Sequence, residues 1–346
     1  MIKIIKIIKK EPWKDPRGGE IQRVTVDNGI LAIEVLSLGG IIRSLWAPDR
    51  HGERQNIVLG CDSAQAYLDQ DAHLGAIAGR FANRIKGGKL SRQGQCYQLD
   101  VNNQDNCLHG GSIGFNQKQW QLETLEDGVR LTLISPDGDM GFPGNCKVQL
   151  DYRLNGNSLM VDIIAMTDKP CPVNLTQHSY FNLDGSDSVA QHLMQNDCTK
   201  YLQTDEQGIP STIEPVTPAL NFGKDSLLAE RLIDASLEST QGLDHCYLME
   251  KTSETLVRFG RISSPKSGRM MTLYTNQPGV QVYTANFLQG TIGAQGQVFK
   301  QYQGICLEPQ LCPDAPNQPE LLGQSWLEVG EQYHHLSQYE FETMEE

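Results

Sequence analysis

Apolar and polar residues alternate along much of this chain with a period of two. In residues 147–153 the apolar Val148, Leu150 and Tyr152 alternate with polar residues, and beyond the Asn-Gly-Asn turn at 155–157 the alternation resumes. Successive side chains of a β-strand point to opposite faces, and an Asn-Gly turn between two alternating runs indicates a β-hairpin. Further strands are predicted at residues 31–35, 129–134, 270–274 and 280–283.

Helical patterns are few and short. Asp225 or Ser226 is a candidate N-cap for an amphipathic helix over residues 227–232. Asp62 or Ser63 is a candidate start for a second helix. Neither helix is long enough to form the crossover layer of an α/β fold. The pattern therefore predicts an all-β protein, a large β-sandwich with few short helices.

Composition and charge restrict the partners of this chain. It has 346 residues, 39% of them apolar and 21% charged, as in an ordinary globular protein, and this length allows one large all-β domain or two ordinary domains. The formal net charge of −13 argues against nucleic acid as a partner, because a duplex binder needs a basic surface. It also disfavours anionic ligands such as sugar phosphates, so we expect a neutral small-molecule substrate.

Cysteine usage and the N-terminal segment bear on location. Nine cysteines are scattered without a CxxC motif or a Cys/His ligand cluster, which is typical of reduced thiols in a cytoplasmic protein and not of disulfides or a zinc site. The start, MIKIIKIIKKEPW, is too often interrupted by Lys to be a signal sequence, and it favours an edge strand whose charges oppose aggregation. No segment approaches the roughly 18 apolar residues of a membrane span. We therefore expect a cytoplasmic protein without a membrane partner.

The segment 173–182, Val-Asn-Leu-Thr-Gln-His-Ser-Tyr-Phe-Asn, is unusually rich in hydrogen-bonding side chains. As a strand it has one polar face, formed by Asn174, Thr176, His178, Tyr180 and Asn182. A row of directional donors and acceptors suits a sugar, although a solvated sheet face has the same alternation. The absence of Lys and Glu from the row favours a binding site.

Glu308 lies at the end of an apolar strand that is predicted to stop at Pro309, because proline cannot donate to a ladder. The loop that follows is rich in proline, and loops on a rigid scaffold commonly carry function. Partial burial raises a glutamate pKa above its reference of about 4.3 and makes the carboxylate a better base. An ordinary surface glutamate is the alternative that this segment alone leaves open.

Five further polar residues are candidates, each with a structural alternative. Arg84, next to Asn83, either donates several hydrogen bonds to a ligand oxygen or pairs with a carboxylate. His109 precedes two glycines, which either admit a ligand close to the backbone or form a tight turn. Asp244 is either an acceptor for a hydroxyl or a loop aspartate, and Gln281 faces away from its apolar neighbours in the strand.

Seven segments, in order along nearly the whole chain from about Leu31, closely resemble the galactose mutarotase (aldose 1-epimerase) family. They are GRFANRIKGGKL (79–90), LHGG with the following GF and Trp (108–120), DGDMGFPGN (137–145), KPCPVNLTQHSYFNLDG (169–185), GLDHCY (242–247), QPGVQVYTANFLQG (277–290) and LEPQLCPDAPNQP (307–319). Any one segment is only suggestive, but seven in order are highly specific.

This resemblance implies a single domain over residues 1–346, with a galactose mutarotase-like supersandwich, an open sugar cleft and no cofactor or metal. It implies an aldose 1-epimerase that interconverts the α and β anomers of free hexoses such as D-galactose and D-glucose, with Glu308 as general base and His178 as general acid. The positions that it assigns to sugar binding are Asn83, Arg84, His109, Asp244 and Gln281. We expect a monomer or a weak homodimer.

The chemistry of anomerisation needs one base and one acid, because the C1 hydroxyl loses a proton while the ring oxygen gains one. Glu308 as carboxylate and His178 as imidazolium, with a reference pKa of about 6.5, would divide these tasks. Two rivals stay open: a glycoside hydrolase with Glu308 and Asp244 as its carboxylate pair, and a non-catalytic sugar-binding protein on the same fold. A phosphosugar epimerase is a closer variant, which the acidic composition and the LHGG segment disfavour.

Overall fold

The computed structural model of the protein describes residues 5–250 and 255–344, which fold mainly as β-strands joined by turns and loops. The strands from the N-terminus to residue 167 are β1 (Lys6–Lys14), β2 (Glu20–Asp27), β3 (Ala32–Leu36), β4 (Ile42–Pro48), β5 (Arg54–Asn56), β6 (Ile77–Ala78), β7 (Arg84–Ile85), β8 (Lys89–Arg92), β9 (Gln95–Gln98), β10 (Cys107–Leu108), β11 (Gln121–Thr124), β12 (Gly128–Ser135), β13 (Cys146–Asn155) and β14 (Ser158–Thr167). The remaining strands are β15 (Cys171–Pro172), β16 (Thr176–Gln177), β17 (Leu193–Asn196), β18 (Lys200–Thr204), β19 (Pro210–Pro215), β20 (Ser226–Leu227), β21 (Asp244–Leu248), β22 (Val257–Ser263), β23 (Arg269–Thr275), β24 (Gly279–Tyr283), β25 (Cys306–Gln310), β26 (Trp326–Leu327) and β27 (Tyr333–Thr343).

Helices are short and connect the strands. The α-helices are α1 (Ala64–Leu68), α2 (Leu228–Leu232) and α3 (Pro319–Leu322). Single turns of 3₁₀ helix lie at Lys86–Gly88, Phe115–Gln117, Asp139–Gly141, Val189–Gln191, Pro218–Leu220, Ala235–Leu237, Ala294–Gly296 and Ala315–Asn317. Of the helices in the two described ranges, none combines the length and the hydropathy that crossing a bilayer requires.

Three antiparallel sheets carry most of the strands. The first sheet has the order β1-β2-β3-β4-β5, and the central sheet has the order β11-β12-β13-β14-β27-β23-β22-β17-β20. The third sheet has the order β19-β18-β21-β24-β25, and we call it the cleft sheet because a large cavity lies against it.

The predicted hairpin is the pair β13 and β14, in which Leu150 faces Ile163 and Tyr152 faces Val161 across the ladder. Gly156 in the turn has φ 59°, a left-handed conformation that glycine adopts without a steric penalty. The other four predicted strands are confirmed as β3, β12, β23 and β24, each within one residue of its predicted bounds.

One of the two helix predictions needs correction. Ser63 caps α1 as predicted, since its side chain accepts a hydrogen bond from the backbone N–H of Ala66. Neither Asp225 nor Ser226 caps α2: Ser226 lies in strand β20, and the capping position is Leu227, which makes no side-chain cap bond. Pairing of β20 with β17 therefore outweighs the local preference of serine for a helix cap.

The Lys-rich N-terminal segment forms the predicted edge strand over Lys6–Lys14, at the end of the first sheet. Residues 1–4 of that segment lie outside the described residues. A single buried cluster includes Val26 of the first sheet, Leu150 of the central sheet and Val282 of the cleft sheet. Because apolar faces of several sheets meet in one core, the predicted all-β sandwich with few short helices is confirmed.

Candidate active site

A cavity of about 1170 Å³ opens against the cleft sheet. Its other walls come from residues between β5 and β11, from the polar segment 173–182, and from residues within 217–240 and 287–291. The seven residues predicted from the sequence all border it: Asn83, Arg84, His109, His178, Asp244, Gln281 and Glu308. Concave sites with a few converging polar groups are the usual form of small-molecule sites.

The cleft sheet brings three of these side chains to one surface. Gln281 lies directly opposite Glu308 on the neighbouring strand β25, and its amide Nε2 donates a 2.6 Å hydrogen bond to Oδ1 of Asp244 on β21. The flanking Val280 and Val282 are fully buried in the core. The prediction that Gln281 faces away from its apolar neighbours is thus confirmed, and Asp244 belongs to a strand, not to a loop.

Glu308 lies within its strand, because the ladder between β24 and β25 continues through Pro309 to Gln310. The predicted end of the strand at Pro309 is therefore wrong. Strand β25 is at the edge of the cleft sheet. A proline is tolerated there, because its missing backbone N–H can face the side that has no neighbouring strand. Glu308 is also 98% buried. It is therefore neither the partly buried glutamate nor the surface glutamate that the sequence left as alternatives. This burial, and then the negative charge of Asp244, raise the pKa of Glu308 well above its ordinary value.

His178 faces Glu308, with its Nε2 atom 3.5 Å from the carboxylate Oε2. On the other side of the ring, Nδ1 lies 3.6 Å from the sulfur of Cys306. Burial, and then the nearby His73, lower the pKa of His178 to about 3. The expectation of an imidazolium near neutral pH therefore does not hold for the isolated site, because desolvation outweighs the intrinsic pKa.

Glu308 and His178 lie close enough to act as one acid–base pair, and burial, Asp244 and His73 shift their pKa values in opposite directions. Their proximity favours opposite charges, whereas burial favours a neutral acid beside a neutral imidazole. Both forms hold one proton and no net charge, and they differ by the position of that proton along a 3.5 Å path. The protons of such a pair titrate as properties of the pair and not of either residue. Burial thus favours a singly protonated pair.

The polar segment 173–182 is not one continuous strand. Only Thr176–Gln177 forms a strand, and every residue of the segment is buried, so it is no solvated sheet face. The amide of Asn174 bonds to the backbone of Leu311, and that of Asn182 to the carbonyl of Gln303. Of the five predicted polar side chains, His178 and Tyr180 border the cavity. The amides of Asn174 and Asn182, at the two ends of the segment, instead form hydrogen bonds with neighbouring loops.

Arg84 begins the short strand β7, Asn83 precedes that strand, and His109 follows the paired strand β10. The backbone N–H of Asn83 donates to Nδ1 of His109 at 3.1 Å, so a neutral His109 carries its proton on Nε2. Burial and neighbouring positive groups lower the pKa of His109 well below its ordinary value. Arg84 donates through Nε to Asn103 at 3.2 Å, and within residues 5–250 and 255–344 it makes no ion pair. The ligand-binding alternative for Arg84 therefore fits its surroundings better than the ion-pair alternative.

Sequence comparison covers nearly the whole chain. The family model described as aldose 1-epimerase matches residues 22–340. The chain belongs to the aldose 1-epimerase family. It is 38% identical over 330 residues to the galactose mutarotase of Mus musculus, a match that covers 94% of this chain and 95% of the relative. It is 34% identical over 343 residues to the aldose 1-epimerase of Escherichia coli K12, covering 97% and 99%.

Solved structures agree with this family membership. An aldose epimerase homologue from C. elegans superposes with a TM-score of 0.85 at 29% identity, covering 91% of this chain and 97% of that one. The galactose 1-epimerase of Lactobacillus acidophilus NCFM gives a TM-score of 0.83 at 28% identity and covers 99% of both chains. The resemblance drawn from the seven segments and the mutarotase-like supersandwich are both confirmed.

Parts of three segments that carry the resemblance to the epimerase family have structural functions. The guanidinium of buried Arg80, in segment 79–90, donates 2.9 Å hydrogen bonds to the carbonyl oxygens of Pro143 and Gly144 in segment 137–145. Segment 137–145 thus anchors the part of the chain that leads to Asn83 and to Arg84 at the start of β7. At Gly110, an added Cβ would lie 2.2 Å from the carbonyl oxygen of Gly79, so close backbone packing explains this glycine of the LHGG segment.

Two residues next to His178 in this epimerase fold were not predicted from the sequence. His73 borders the cavity, with its ring centroid 4.7 Å from that of His109 and 5.9 Å from that of His178. Cys306 is buried behind His178. Neither residue belongs to a polar alternation. For Cys306 a signal did exist, because it lies two residues before Glu308 and so faces the same side of the strand.

The fold also assembles groups that could hold a metal ion. Ligand atoms of His178, Cys306 and Glu308 all lie within 4.8 Å of one another. The absence of a Cys/His ligand cluster was predicted from sequence spacing, and it does not hold in three dimensions. A soft thiol, an imidazole and a carboxylate together form a donor set that suits zinc.

Proposed function

We propose that this protein interconverts the α and β anomers of free aldohexoses such as D-galactose and D-glucose. The observation that carries the proposal is the buried Glu308–His178 pair, 3.5 Å apart, in a cavity bordered by hydrogen-bonding side chains. Relatives named galactose mutarotase and aldose 1-epimerase support the same reaction. The small-molecule substrate is thus an aldose.

In the forward step Glu308 takes the proton of the C1 hydroxyl while His178 gives a proton to the ring oxygen. The C1–O5 bond breaks, and an open-chain aldehyde results. Both reacting oxygens are bonded to C1, so two groups that lie 3.5 Å apart on one wall can reach both. After rotation about C1–C2, the protonated Glu308 returns its proton to the carbonyl oxygen and His178 recovers one from the closing hydroxyl. Each proton transfer by a positioned group contributes about 10²–10⁴-fold.

This cycle keeps one proton on the catalytic pair throughout. It begins with carboxylate and imidazolium and reaches carboxylic acid and neutral imidazole in the open-chain state. Burial favours the second form, and hydrogen bonds from the bound sugar to the carboxylate and the imidazolium compensate for the first. No redox group is required, and we propose that no metal is required either, with Cys306 supporting the ring of His178.

The remaining residues are proposed to bind the sugar. Arg84 and the Nε2–H of His109 are donors to sugar oxygens, and the guanidinium of Arg84 suits the ring oxygen or the negative charge that develops when the ring opens. The carboxylate of Asp244 is an acceptor for hydroxyls, held in place by the amide of Gln281. Asn83 holds this wall of the cavity through its bond to His109.

Polarimetry of freshly dissolved α-D-glucose and α-D-galactose, with and without the protein, tests the proposal. We expect faster equilibration with the protein, also after dialysis against EDTA. If dialysis abolished the activity and a divalent metal restored it, the trio of His178, Cys306 and Glu308 would be a metal centre and the metal-free mechanism would be wrong. Release of monosaccharide from a disaccharide would support a hydrolase, and sugar binding without faster equilibration would support a pure binding protein.

We also propose that the chain is a single cytoplasmic domain, present as a monomer or a weak homodimer. The buried cluster shared by three sheets supports one domain, and the nine free cysteines, eight of them buried, suit a reducing compartment. The net charge of −13 disfavours nucleic acid as a partner. Sedimentation analysis over a range of concentrations tests the oligomeric state.

A further inference from the structure

His73 borders the cavity, but the reaction described above makes no use of it. Its ring lies 4.7 Å from that of His109, at an interplanar angle of 48°, and 5.9 Å from that of His178. The three imidazoles thus form one cluster beside the Glu308–His178 pair.

The hydrogen bonding of His73 determines which of its ring nitrogens carries the proton. Nδ1 lies 2.9 Å from the backbone carbonyl oxygen of Asp71. A carbonyl oxygen only accepts, so Nδ1 must donate. Burial lowers the pKa of His73, which keeps the ring neutral. Nε2 is therefore an unprotonated acceptor.

That acceptor has no hydrogen-bond partner within the described part of the chain, although the atom is buried. A buried polar atom without a partner costs free energy, so nearly all such atoms in folded proteins are paired with protein, water or ligand. His73 as a whole is 91% buried. An unpaired acceptor at the wall of a sugar cavity therefore points to a ligand.

His109 offers the complementary group. Its Nδ1 accepts from the backbone N–H of Asn83, so a neutral His109 carries its proton on Nε2, which makes Nε2 a donor. A sugar hydroxyl donates one hydrogen and accepts others. Two adjacent rings, one with a donor and one with an acceptor, match a single hydroxyl in both respects.

The backbone supports the same grouping. His73, Asn83 and His109 have φ values of 55°, 64° and 51°, in the left-handed region that non-glycine residues seldom adopt. Residues held in such conformations concentrate at ligand sites, where the surrounding structure maintains the strain. His73 shares this feature with two residues that are proposed to form the sugar-binding wall.

We propose that His73 is a further substrate-contacting residue, whose Nε2 accepts the hydrogen of the sugar hydroxyl that receives a hydrogen bond from Nε2–H of His109. The inference rests on the proposed function, because it takes a free aldose as the ligand. It adds an acceptor to the sugar-binding set and makes His73 a determinant of which hydroxyl configuration the cavity prefers.

The test is a binding cycle between variants of His73 and galactose analogues that each lack one hydroxyl. His73→Asn suits the left-handed backbone but is too short to reach the hydroxyl, and His73→Phe keeps the ring packing without the acceptor. We expect each variant to bind galactose roughly 3-fold to 10-fold more weakly, the usual effect of one lost hydrogen bond. For one deoxy analogue this weakening should vanish, because the hydroxyl that His73 contacts is already missing.

His51→Phe is the matched control, since His51 is exposed on a turn outside the cavity, and it should bind every sugar like the wild type. Equal weakening for all analogues in both His73 variants, or no weakening at all, would overturn the assignment of His73. Anomer equilibration by the wild type is measured in parallel. If the wild type equilibrates anomers but the His73 variants show no coupling to any single hydroxyl, only the assignment of His73 is wrong. If the wild type binds no sugar, both the proposed function and the assignment of His73 are wrong.

Discussion

Two glutamates, Glu34 of the first sheet and Glu308 of the cleft sheet, are almost completely buried but have opposite surroundings. Both carboxylate oxygens of Glu34 accept hydrogen bonds from cations: Lys10 at 2.9 Å, Arg23 at 2.7 Å and Arg43 at 3.0 Å. Glu308 has no such cation among the described residues, and its Oε2 atom makes no hydrogen bond. Its charged neighbour is the carboxylate of Asp244.

The pKa values of the two residues follow from these surroundings. Burial alone would raise the pKa of Glu34, but the hydrogen bonds from Lys10 and Arg23 and the charge of Arg43 outweigh it and lower the pKa. For Glu308, burial and Asp244 act in the same direction and raise the pKa. The charge of Glu34 is compensated, whereas Glu308, the proposed base, has no compensating cation, so burial and Asp244 favour its protonated form. The difference between Glu34 and Glu308, the proposed base, thus lies in their neighbours and not in burial.

The largest expected effect comes from Glu308→Gln. The amide keeps the shape of the side chain but cannot take a proton, so kcat for anomer equilibration should fall by about 10²-fold or more. The free energy of unfolding should be unchanged or higher, because a buried group without a compensating cation is replaced by a neutral one. Polarimetry and thermal unfolding measure the two quantities. Near-wild-type turnover would remove Glu308 from the mechanism.

His178→Asn should lower kcat by about 10²-fold as well, and it should change the pH dependence. In the wild type, kcat/KM should be bell-shaped, because the singly protonated pair is lost by a second protonation at low pH and by deprotonation at high pH. Without His178 the alkaline limb should shift or disappear on the residual rate. A variant that keeps both limbs of the wild type would show that other groups transfer the protons.

Glu34→Gln should show the reverse of the Glu308 variant. Removing the carboxylate leaves three cations without their partner, which costs about 3–5 kcal/mol in a fully buried pair. The cationic side chains here are partly exposed, so we expect a loss of about 2 kcal/mol in the free energy of unfolding, with unchanged kcat. Denaturant unfolding and polarimetry provide the measurements. A loss of turnover without a loss of stability would contradict the proposed division of roles.

The smallest expected effect is the pH dependence of stability. The folded pKa of Glu34 is lowered, so its contribution is present above the unfolded pKa and is lost as the pH falls through the folded pKa. The folded pKa of Glu308 is raised, so its contribution is present below the unfolded pKa and is lost as the pH rises through the folded pKa. Melting temperatures should therefore show Glu34→Gln approaching the wild type as the pH falls through the acid range, and Glu308→Gln gaining on the wild type as the pH rises above the ordinary glutamate pKa. Parallel curves for all three proteins would contradict the opposite shifts.

Local pattern was sufficient wherever a residue's partners lie nearby in the chain or along one strand. The β13–β14 hairpin and the outward face of Gln281 follow from a period of two. The polar segment 173–182 shows where this reasoning stops, because alternation placed five side chains on one face and only His178 and Tyr180 reach the cavity. The amides of Asn182 and Asn174 form hydrogen bonds with the backbone of residues 303 and 311, and no local sequence pattern predicts these distant partners.

The sequence by itself determined the all-β class, the family and the seven residues that border the cavity, because strand periodicity and ordered motifs are written in the chain. Only the tertiary structure decided their electrostatic states. Whether Glu308 and His178 are charged depends on burial and on neighbours such as Asp244 and His73, which approach from other strands and loops. Desolvation and Coulomb interaction act through space. The placement of His73 beside His109, and of Cys306 behind His178, became visible for the same reason only in the folded protein.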